Sequence, residues 1–123
     1  MDLAPTILAA ADATQPAMFA GHAVLPFEGT SLEPALVEGG ATVPRQIGFV
    51  HEQNRAWIDG NFKLVVRHEN ADEPERYDLS QDPTELNDLA SKMPAKLKTM
   101  IAAWNSWAKH VGLPAQLLLK VPA

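Results

Sequence analysis

The stretch RAWIDGNFKLVVR, residues 55–67, decides the fold, because its pattern is that of two strands joined by a tight turn. Asp59-Gly60 lies between Ile58 and Asn61, and a two-residue type I′ loop needs positive φ at both of its positions, which Asp-Gly adopts at low cost. Apolar and more polar side chains alternate on the second arm: Phe62, Leu64 and Val66 against Lys63, Val65 and Arg67. The stretch therefore predicts an antiparallel hairpin with one apolar face and one mixed face.

Further strands are predicted on either side of this hairpin. One begins with Ile47, Phe49 and Val50, and another covers Arg76 to Leu79, after a polar, turn-like stretch at 70–74. With the hairpin arms at Arg55 to Ile58 and Phe62 to His68, they predict a four-stranded antiparallel sheet.

Two helices are predicted after the sheet. Asp82-Pro83-Thr84-Glu85 offers a capping residue, a proline at the first helical position and a glutamate that answers the cap, so a short helix through about Leu89 is expected. Pro94 opens a longer helix that Gly112 and Pro114 end. Its apolar residues recur at intervals of three and four: Leu97, Ile101, Trp104, Ala108 and Val111. This stripe is expected to cover the sheet, and the apolar tail from Pro114 to Ala123 to pack onto a neighbouring surface.

The first part of the chain has a different character. Asp2 to about Ala13 predicts a short helix with Asp2 as its cap, and Thr14 to Pro44 is broken repeatedly by proline and glycine. A loop of about 30 residues is uncommon in a compact domain, where connections run to about 4–6 residues. The fold class is therefore α+β: a small four-stranded antiparallel sheet against a long C-terminal helix, preceded by a short helix and a long irregular segment.

Composition excludes several classes of function. The formal net charge of -5, with ten scattered basic residues, argues against a nucleic-acid partner, which needs a clustered basic face. No apolar run approaches the roughly 20 residues that span a bilayer, so neither a signal peptide nor a membrane partner is expected. The absence of cysteine excludes disulfides and thiol catalysis and leaves the compartment open.

Catalytic motifs are not found in this chain. No serine stands in a Gly-x-Ser-x-Gly context, and no glycine-rich loop has nucleotide-binding spacing. His51 and Glu52 are expected to point to opposite faces of a strand, which is a poor arrangement for a metal. The polar group worth weighing is crowded where a strand turns toward the hairpin: His51, Glu52, Asn54 and Arg55. A purely structural role explains the presence of these four residues about as well as a functional role does.

Several motifs, in this order, resemble the C-terminal region of sulfatases of the arylsulfatase type, in the alkaline phosphatase-like superfamily. DLAPTIL (2–8) resembles the helix that ends their large domain, and GTSL (29–32) their Gly-x-Ser-Leu loop. HEQNRA (51–56) running into DGNFKLV (59–65) is similar to a strand pair with an Asp-Gly-x-Trp-Lys-Leu signature, with Phe62 in place of the tryptophan. YDL (77–79) and DPTELNDLA (82–90) resemble the segment before their last helix.

The resemblance implies that residues 1–45 are the end of the large sulfatase domain and that 46–123 form the C-terminal subdomain. The family hydrolyses sulfate esters with a formylglycine, made from Cys or Ser in a Cys/Ser-x-Pro-x-Arg motif, and with calcium. Neither motif nor metal ligands are found here, so this chain is expected to contain no catalytic residue, cofactor or metal, and to be inactive alone. His51, Glu52, Asn54 and Arg55 are then expected to line the rim of the substrate cleft.

The partner implied by the resemblance is the catalytic sulfatase domain, with a sulfate ester as substrate only in the full enzyme. Two alternatives stay open. The chain could be a freestanding interaction or oligomerisation module that self-associates through its apolar helix and tail. The parent could also be a phosphonate or phosphodiester hydrolase of the same superfamily.

Overall fold

A computed structural model describes residues 1–37, 39–40 and 44–121. The chain divides into two units, Met1–Val43 and Pro44–Ala123. Position 38 and positions 41–43, which fall in the predicted irregular connection, and positions 122–123, at the end of the predicted tail, lie outside the described residues.

The first unit contains more regular structure than the sequence predicts. Helix α1 spans Leu3–Ala10, a short ladder pairs β1 (Met18–Phe19) with β2 (His22–Ala23), and helix α2 spans Glu33–Val37. The predicted irregular connection therefore holds a ladder and a short helix. Helix α1 also ends earlier than predicted, because the backbone at Asp12 turns to a φ of +50°.

Asp2 does not cap its own helix as predicted. The Asp2 side chain makes no capping hydrogen bond to α1, and its Oδ1 instead accepts a hydrogen bond from the backbone N–H of Thr30 at 3.1 Å. Thr6 Oγ1 likewise accepts a hydrogen bond from the N–H of Leu32 at 2.9 Å. These two bonds tie the loop that follows residue 28 to the start of α1.

The second unit has the predicted α+β architecture. Its strands are β3 (Gln46–His51), β4 (Asn54–Asp59), β5 (Phe62–Val66) and β6 (Glu75–Asp78), which form one antiparallel sheet in the order β3-β4-β5-β6. Helix α3 spans Pro94–His110 and is followed by a single 3₁₀ turn at Ala115–Leu117. The four-stranded sheet and the long C-terminal helix are thus confirmed.

The turn between β4 and β5 differs from the prediction by one residue. Asp59 pairs with Phe62, so the loop consists of Gly60 and Asn61, and Gly60 alone of these has positive φ, at +60°. Glycine at the first loop position is the arrangement of a type II′ turn, not the predicted type I′. Asp59 stays in the strand because its carboxylate accepts hydrogen bonds from Lys96 Nζ at 2.5 Å and from Gln46 Nε2 at 3.2 Å.

A second tight turn joins β3 to β4. His51 pairs with Asn54, and the two loop residues between them, Glu52 and Gln53, have φ values of +47° and +68°. Positive φ at both loop positions is the signature of a type I′ turn. Glu52 therefore belongs to a turn and not to the strand end on which the sequence placed it.

The predicted helix from Asp82 to Leu89 is wrong. Glu85 has a φ of +58°, and the Asp82 carboxylate accepts hydrogen bonds from the N–H of Asn87 at 2.8 Å and from Thr84 Oγ1 at 3.1 Å. A left-handed residue and local side-chain bonds of this kind compete with helix formation. The segment instead runs along the outer edge of β6.

The core of the second unit lies between the sheet and α3. It is formed by side chains from the sheet, the helix and the tail: Trp57, Leu64, Val66, Leu97, Met100, Ile101, Trp104, Ala108 and Leu119. Each large side chain buried in this way contributes roughly 1.5–3 kcal/mol. The unit buries the helix stripe from Leu97 to Ala108 and Leu119 of the tail in its own core, so these side chains are not exposed for self-association. Val111, the last residue of the predicted stripe, lies just past the end of α3 and is 37% exposed. Among the described helices, none is long and apolar enough to cross a membrane.

Candidate functional site: the open face of the sheet

Helix α3 covers one face of the sheet, and the opposite face carries a shallow depression of about 370 Å³. The register places residues of adjacent strands side by side on this open face, with Phe49 opposite Ala56 and His51 opposite Asn54. The depression is bordered by the following residues: Phe49, His51, Asn54, Arg55, Ala56, Lys63, Val65, Arg67 and Glu85.

His51 and Asn54, two of the predicted rim residues, meet at one end of the depression. They are directly paired across the type I′ turn, which places both side chains on the same face. Asn54 Oδ1 accepts a hydrogen bond from the N–H of His68 at 2.9 Å, which orients the amide. Glu52 lies in the turn itself, with its Oε2 3.9 Å from His51 Nε2. Both members of this His–Glu contact are well exposed, so it stabilises the fold little.

Arg55, the fourth predicted rim residue, points the other way. Its side chain is 6% exposed, and its Nη1 donates to the carbonyl oxygen of Leu117 at 3.4 Å. Strand alternation explains this, because Arg55 follows Asn54 directly and therefore faces α3 and the tail. Burial lowers the pKa of Arg55, as expected for a cation removed from water. Arg55 supports the strand from beneath, and its guanidinium does not reach the open face.

Two ion pairs border the depression on its β5 side. Lys63 Nζ lies 2.6 Å from Glu85 Oε1, and Arg67 Nη2 lies 3.0 Å from Glu75 Oε2. The Arg67 side chain keeps 57% of its surface exposed, so its guanidinium remains accessible on one side. The alternation of Lys63, Val65 and Arg67 in the sequence already predicted this mixed face.

Phe49 and Glu85 are residues of the site that the sequence analysis did not single out. Phe49 is 51% exposed on the open face, and its neighbours there depend on the strand register, which the sequence did not fix. Glu85 was expected to cap a helix, and only its left-handed backbone brings its carboxylate to Lys63. No local pattern marks either position.

The chemistry available on this face is that of binding. An exposed aromatic ring, an imidazole, an amide and a guanidinium can hold a ring-shaped polar molecule by stacking and hydrogen bonds. Within residues 1–37, 39–40 and 44–121, no group of three or more His, Cys, Asp or Glu side chains could hold a metal ion. The chain also contains no cysteine and no Ser-x-Pro-x-Arg sequence, so its residues do not fit a formylglycine.

Comparison with solved structures assigns this fold to a class of protein. No protein-family model matches the sequence, and no curated protein matches it. The solved structures that match show that the chain has the fold of one part of a sulfatase, which confirms at the level of fold the resemblance to the C-terminal region of these enzymes.

Three of these structures illustrate the likeness. The protein yidJ from Bacteroides fragilis, assigned as a sulfatase, matches with a TM-score of 0.63 and 19% identity over 97% of this chain and 26% of its own. Ps i-CgsB matches with a TM-score of 0.66 and 20% identity over 93% of this chain and 25% of its own. A protein solved with its substrate D-glucosamine-2-N,6-O-disulfate matches with a TM-score of 0.58 and 24% identity over 88% of this chain and 23% of its own. The chain thus spans about a quarter of the length of the structures that it matches.

Proposed function

We propose that this chain is the C-terminal part of a sulfatase that hydrolyses sulfate esters and that it is inactive without the large catalytic domain. Residues 1–45 would complete the large domain, and residues 46–123 would form the C-terminal subdomain. The observation that carries the proposal is that 97% of the chain matches about a quarter of a sulfatase-type chain.

The contrast between the two units supports this division. The second unit has a closed core of its own. In the first unit, α1 and α2 have no buried residue, and large apolar side chains such as Leu3, Phe19 and Leu25 are 75%, 73% and 84% exposed. A segment that leaves so many apolar groups in water is stabilised by burying them against a partner. The large domain of a sulfatase is that partner in this proposal.

The open face of the sheet has a binding role in the same proposal. His51, Glu52 and Asn54 lie at the rim of the substrate cleft and influence which alcohol or phenol fits there. Arg55 acts as a positioning residue, because its bond to the Leu117 carbonyl holds β4 against the tail. The large domain would supply calcium and formylglycine, because no motif for either is found in this chain.

A reconstitution assay tests the enzymatic part. The purified chain is expected to release no sulfate from an aryl sulfate, and turnover is expected when the large domain of the parent protein is present. Sulfate-ester cleavage needs a positioned nucleophile and cations that offset developing charge, which the sheet and helix do not provide. Sustained turnover by the chain alone would contradict the proposal. Hydrolysis of a phosphonate or phosphodiester in place of the sulfate ester would favour the related hydrolase class.

A specificity measurement tests the rim. In the reconstituted enzyme, His51→Ala and Asn54→Ala are expected to change the ratio of kcat/KM between an aryl sulfate and a sulfated glucosamine. His110→Ala is the matched control, since His110 is an exposed histidine at the end of α3 that does not border the depression. Equal selectivity in all three variants would remove the rim from the proposal and leave the sulfatase assignment intact.

A further inference from the structure

The two edges of the four-stranded sheet are built differently. At the β6 edge, Arg76 N–H donates to Asp88 Oδ1 at 2.9 Å and the Arg76 carbonyl oxygen accepts from the N–H of Leu89 at 2.7 Å. The following segment therefore covers that edge. At the β3 edge, β4 is the only described strand of the second unit that pairs with Gln46–His51, and among the described residues of that unit none is hydrogen-bonded to the outward peptide groups of this strand.

Hairpin geometry identifies which peptide groups face outward on β3. The two-residue turn closes on the pair His51 and Asn54, which is a hydrogen-bonded pair in an antiparallel ladder. Alternate residues of β3 then bond to β4. The N–H and C=O groups of Gln46, Gly48 and Val50 therefore point away from the sheet, as three donors and three acceptors in one line.

We propose that the β3 edge binds the β3 edge of a second copy of this chain, antiparallel and around a twofold axis at Gly48. This inference goes beyond the proposed function. The strand is self-complementary in that register, because the hydrogen-bonding groups of Gln46 face those of Val50 in the other copy. On the open face, Ile47 then lies beside Phe49 of the other copy, an apolar pair that stabilises antiparallel strands.

The composition of β3 supports a second copy as the occupant. Edge strands that must stay single are usually short or carry proline, lysine or inward-pointing charges. Gln46–His51 is six residues long and contains Gln, Ile, Gly, Phe, Val and His, with none of those protective residues. In the proposed register, no two Lys, Arg, Asp or Glu side chains of the strands lie opposite each other.

Sedimentation velocity of the whole chain over a concentration series tests the association. The wild type is expected to show a monomer–dimer equilibrium, and Ile47→Lys to weaken it by at least about tenfold by placing two charges in the new ladder. Ile58→Lys is the matched control, because Ile58 pairs with Ile47 on the same face but lies in the central strand β4. Monomer throughout, or equal weakening by both substitutions, would overturn the proposal.

Disulfide cross-linking tests the register directly, because the chain contains no native cysteine. Residues 47 and 49 of the two copies would form a non-hydrogen-bonded pair with Cα atoms about 4.5 Å apart, within disulfide reach. Mixing Ile47→Cys with Phe49→Cys is expected to give a mixed disulfide dimer under mild oxidation, whereas Ile58→Cys with Phe49→Cys is not. Equal yields from both mixtures would show a different interface and refute this pairing.

Discussion

Replacing Gly48 by alanine tests the packing of the sheet against α3. A Cβ at this position would lie 2.5 Å from two atoms of the six-membered ring of Trp107. That ring has little room to withdraw, because its centroid lies 5.9 Å from that of Trp57 and 5.1 Å from that of Trp104. Overpacking of this kind costs about 1–3 kcal/mol.

The expected loss is reduced by the gain of removing a glycine from a strand. Glycine in a strand interior is less favourable than alanine by roughly 0.5–1 kcal/mol. Gly48→Ala is therefore expected to lower the free energy of unfolding by about 1 kcal/mol in the wild type. In a Trp107→Leu background the six-membered ring is gone, and the same substitution is expected to raise the free energy by roughly 0.5–1 kcal/mol.

Urea denaturation of the four chains of this double-mutant cycle measures both effects. The fluorescence of Trp57 and Trp104, which remain in every variant, reports the unfolding of the second unit, where all three tryptophans lie. The change of sign between backgrounds is the diagnostic result, since a simple strand preference would act equally in both. Equal effects of Gly48→Ala with and without Trp107 would refute the packing argument.

Three further predictions concern hydrogen bonds of the second unit. The hydrogen bond to Glu75 raises the pKa of Tyr77, the single tyrosine, to about 12. The contribution of this bond to stability is complete below pH about 10, the pKa of an unfolded tyrosine, and is lost as the pH rises through the folded-state pKa of about 12. An absorbance titration at alkaline pH is expected to show a lower midpoint in Glu75→Ala, and an unchanged midpoint would contradict this cause. The hydrogen bond from Lys96 lowers the pKa of Asp59. This bond therefore stabilises the fold above pH about 4, and its contribution is lost as the pH falls through the lowered pKa. In Asp59→Asn, the free energy of unfolding is expected to fall less steeply with decreasing pH over that range. Asn105 holds the backbone of the tail at Leu119 by two hydrogen bonds of 2.9 and 2.8 Å. Asn105→Ala is therefore expected to lower the free energy of unfolding by about 1–3 kcal/mol in urea denaturation and to speed amide exchange in the tail. Exchange at the wild-type rate would show that other contacts hold the tail.

The sheet and the long helix could be predicted because their patterns are periodic and mutually consistent. Phe62, Leu64 and Val66 alternate along β5, and the apolar residues from Leu97 to Ala108 recur at helical spacing. The pattern of each element therefore predicts the face that it buries. Pro94 lies at the first turn of the helix and Gly112 just past its end, which are the positions that these residues favour. These features depend on local sequence alone.

The turn register and the segment after β6 could not be predicted, because distant partners decide them. Asp-Gly fits a type I′ turn, but Lys96, far along the chain, keeps Asp59 in its strand. The capping motif at Asp82 fits a helix, but the exposed edge of β6 draws Asp88 and Leu89 into hydrogen bonds with Arg76. Local preference was overridden in both places by tertiary contacts.

The candidate site was predicted in part. His51 and Asn54 lie together on the open face, whereas Arg55 is buried on the other side by the alternation that governs any strand. The sequence placed His51 and Glu52 on opposite faces of a strand end but did not separate the faces of Asn54 and Arg55. That they line a substrate cleft stays a prediction.

The covered edge of β6 also limits how far such a sheet can grow. A sheet with two bare edges adds strands from new molecules in both directions and can extend into a fibre. Asp88 and Leu89 occupy the groups that a further molecule would need at that end. Two copies joined at β3 would thus form a continuous eight-stranded sheet whose two outer edges are both already capped. Further strands could not be added at those edges, so the assembly would stop at two copies.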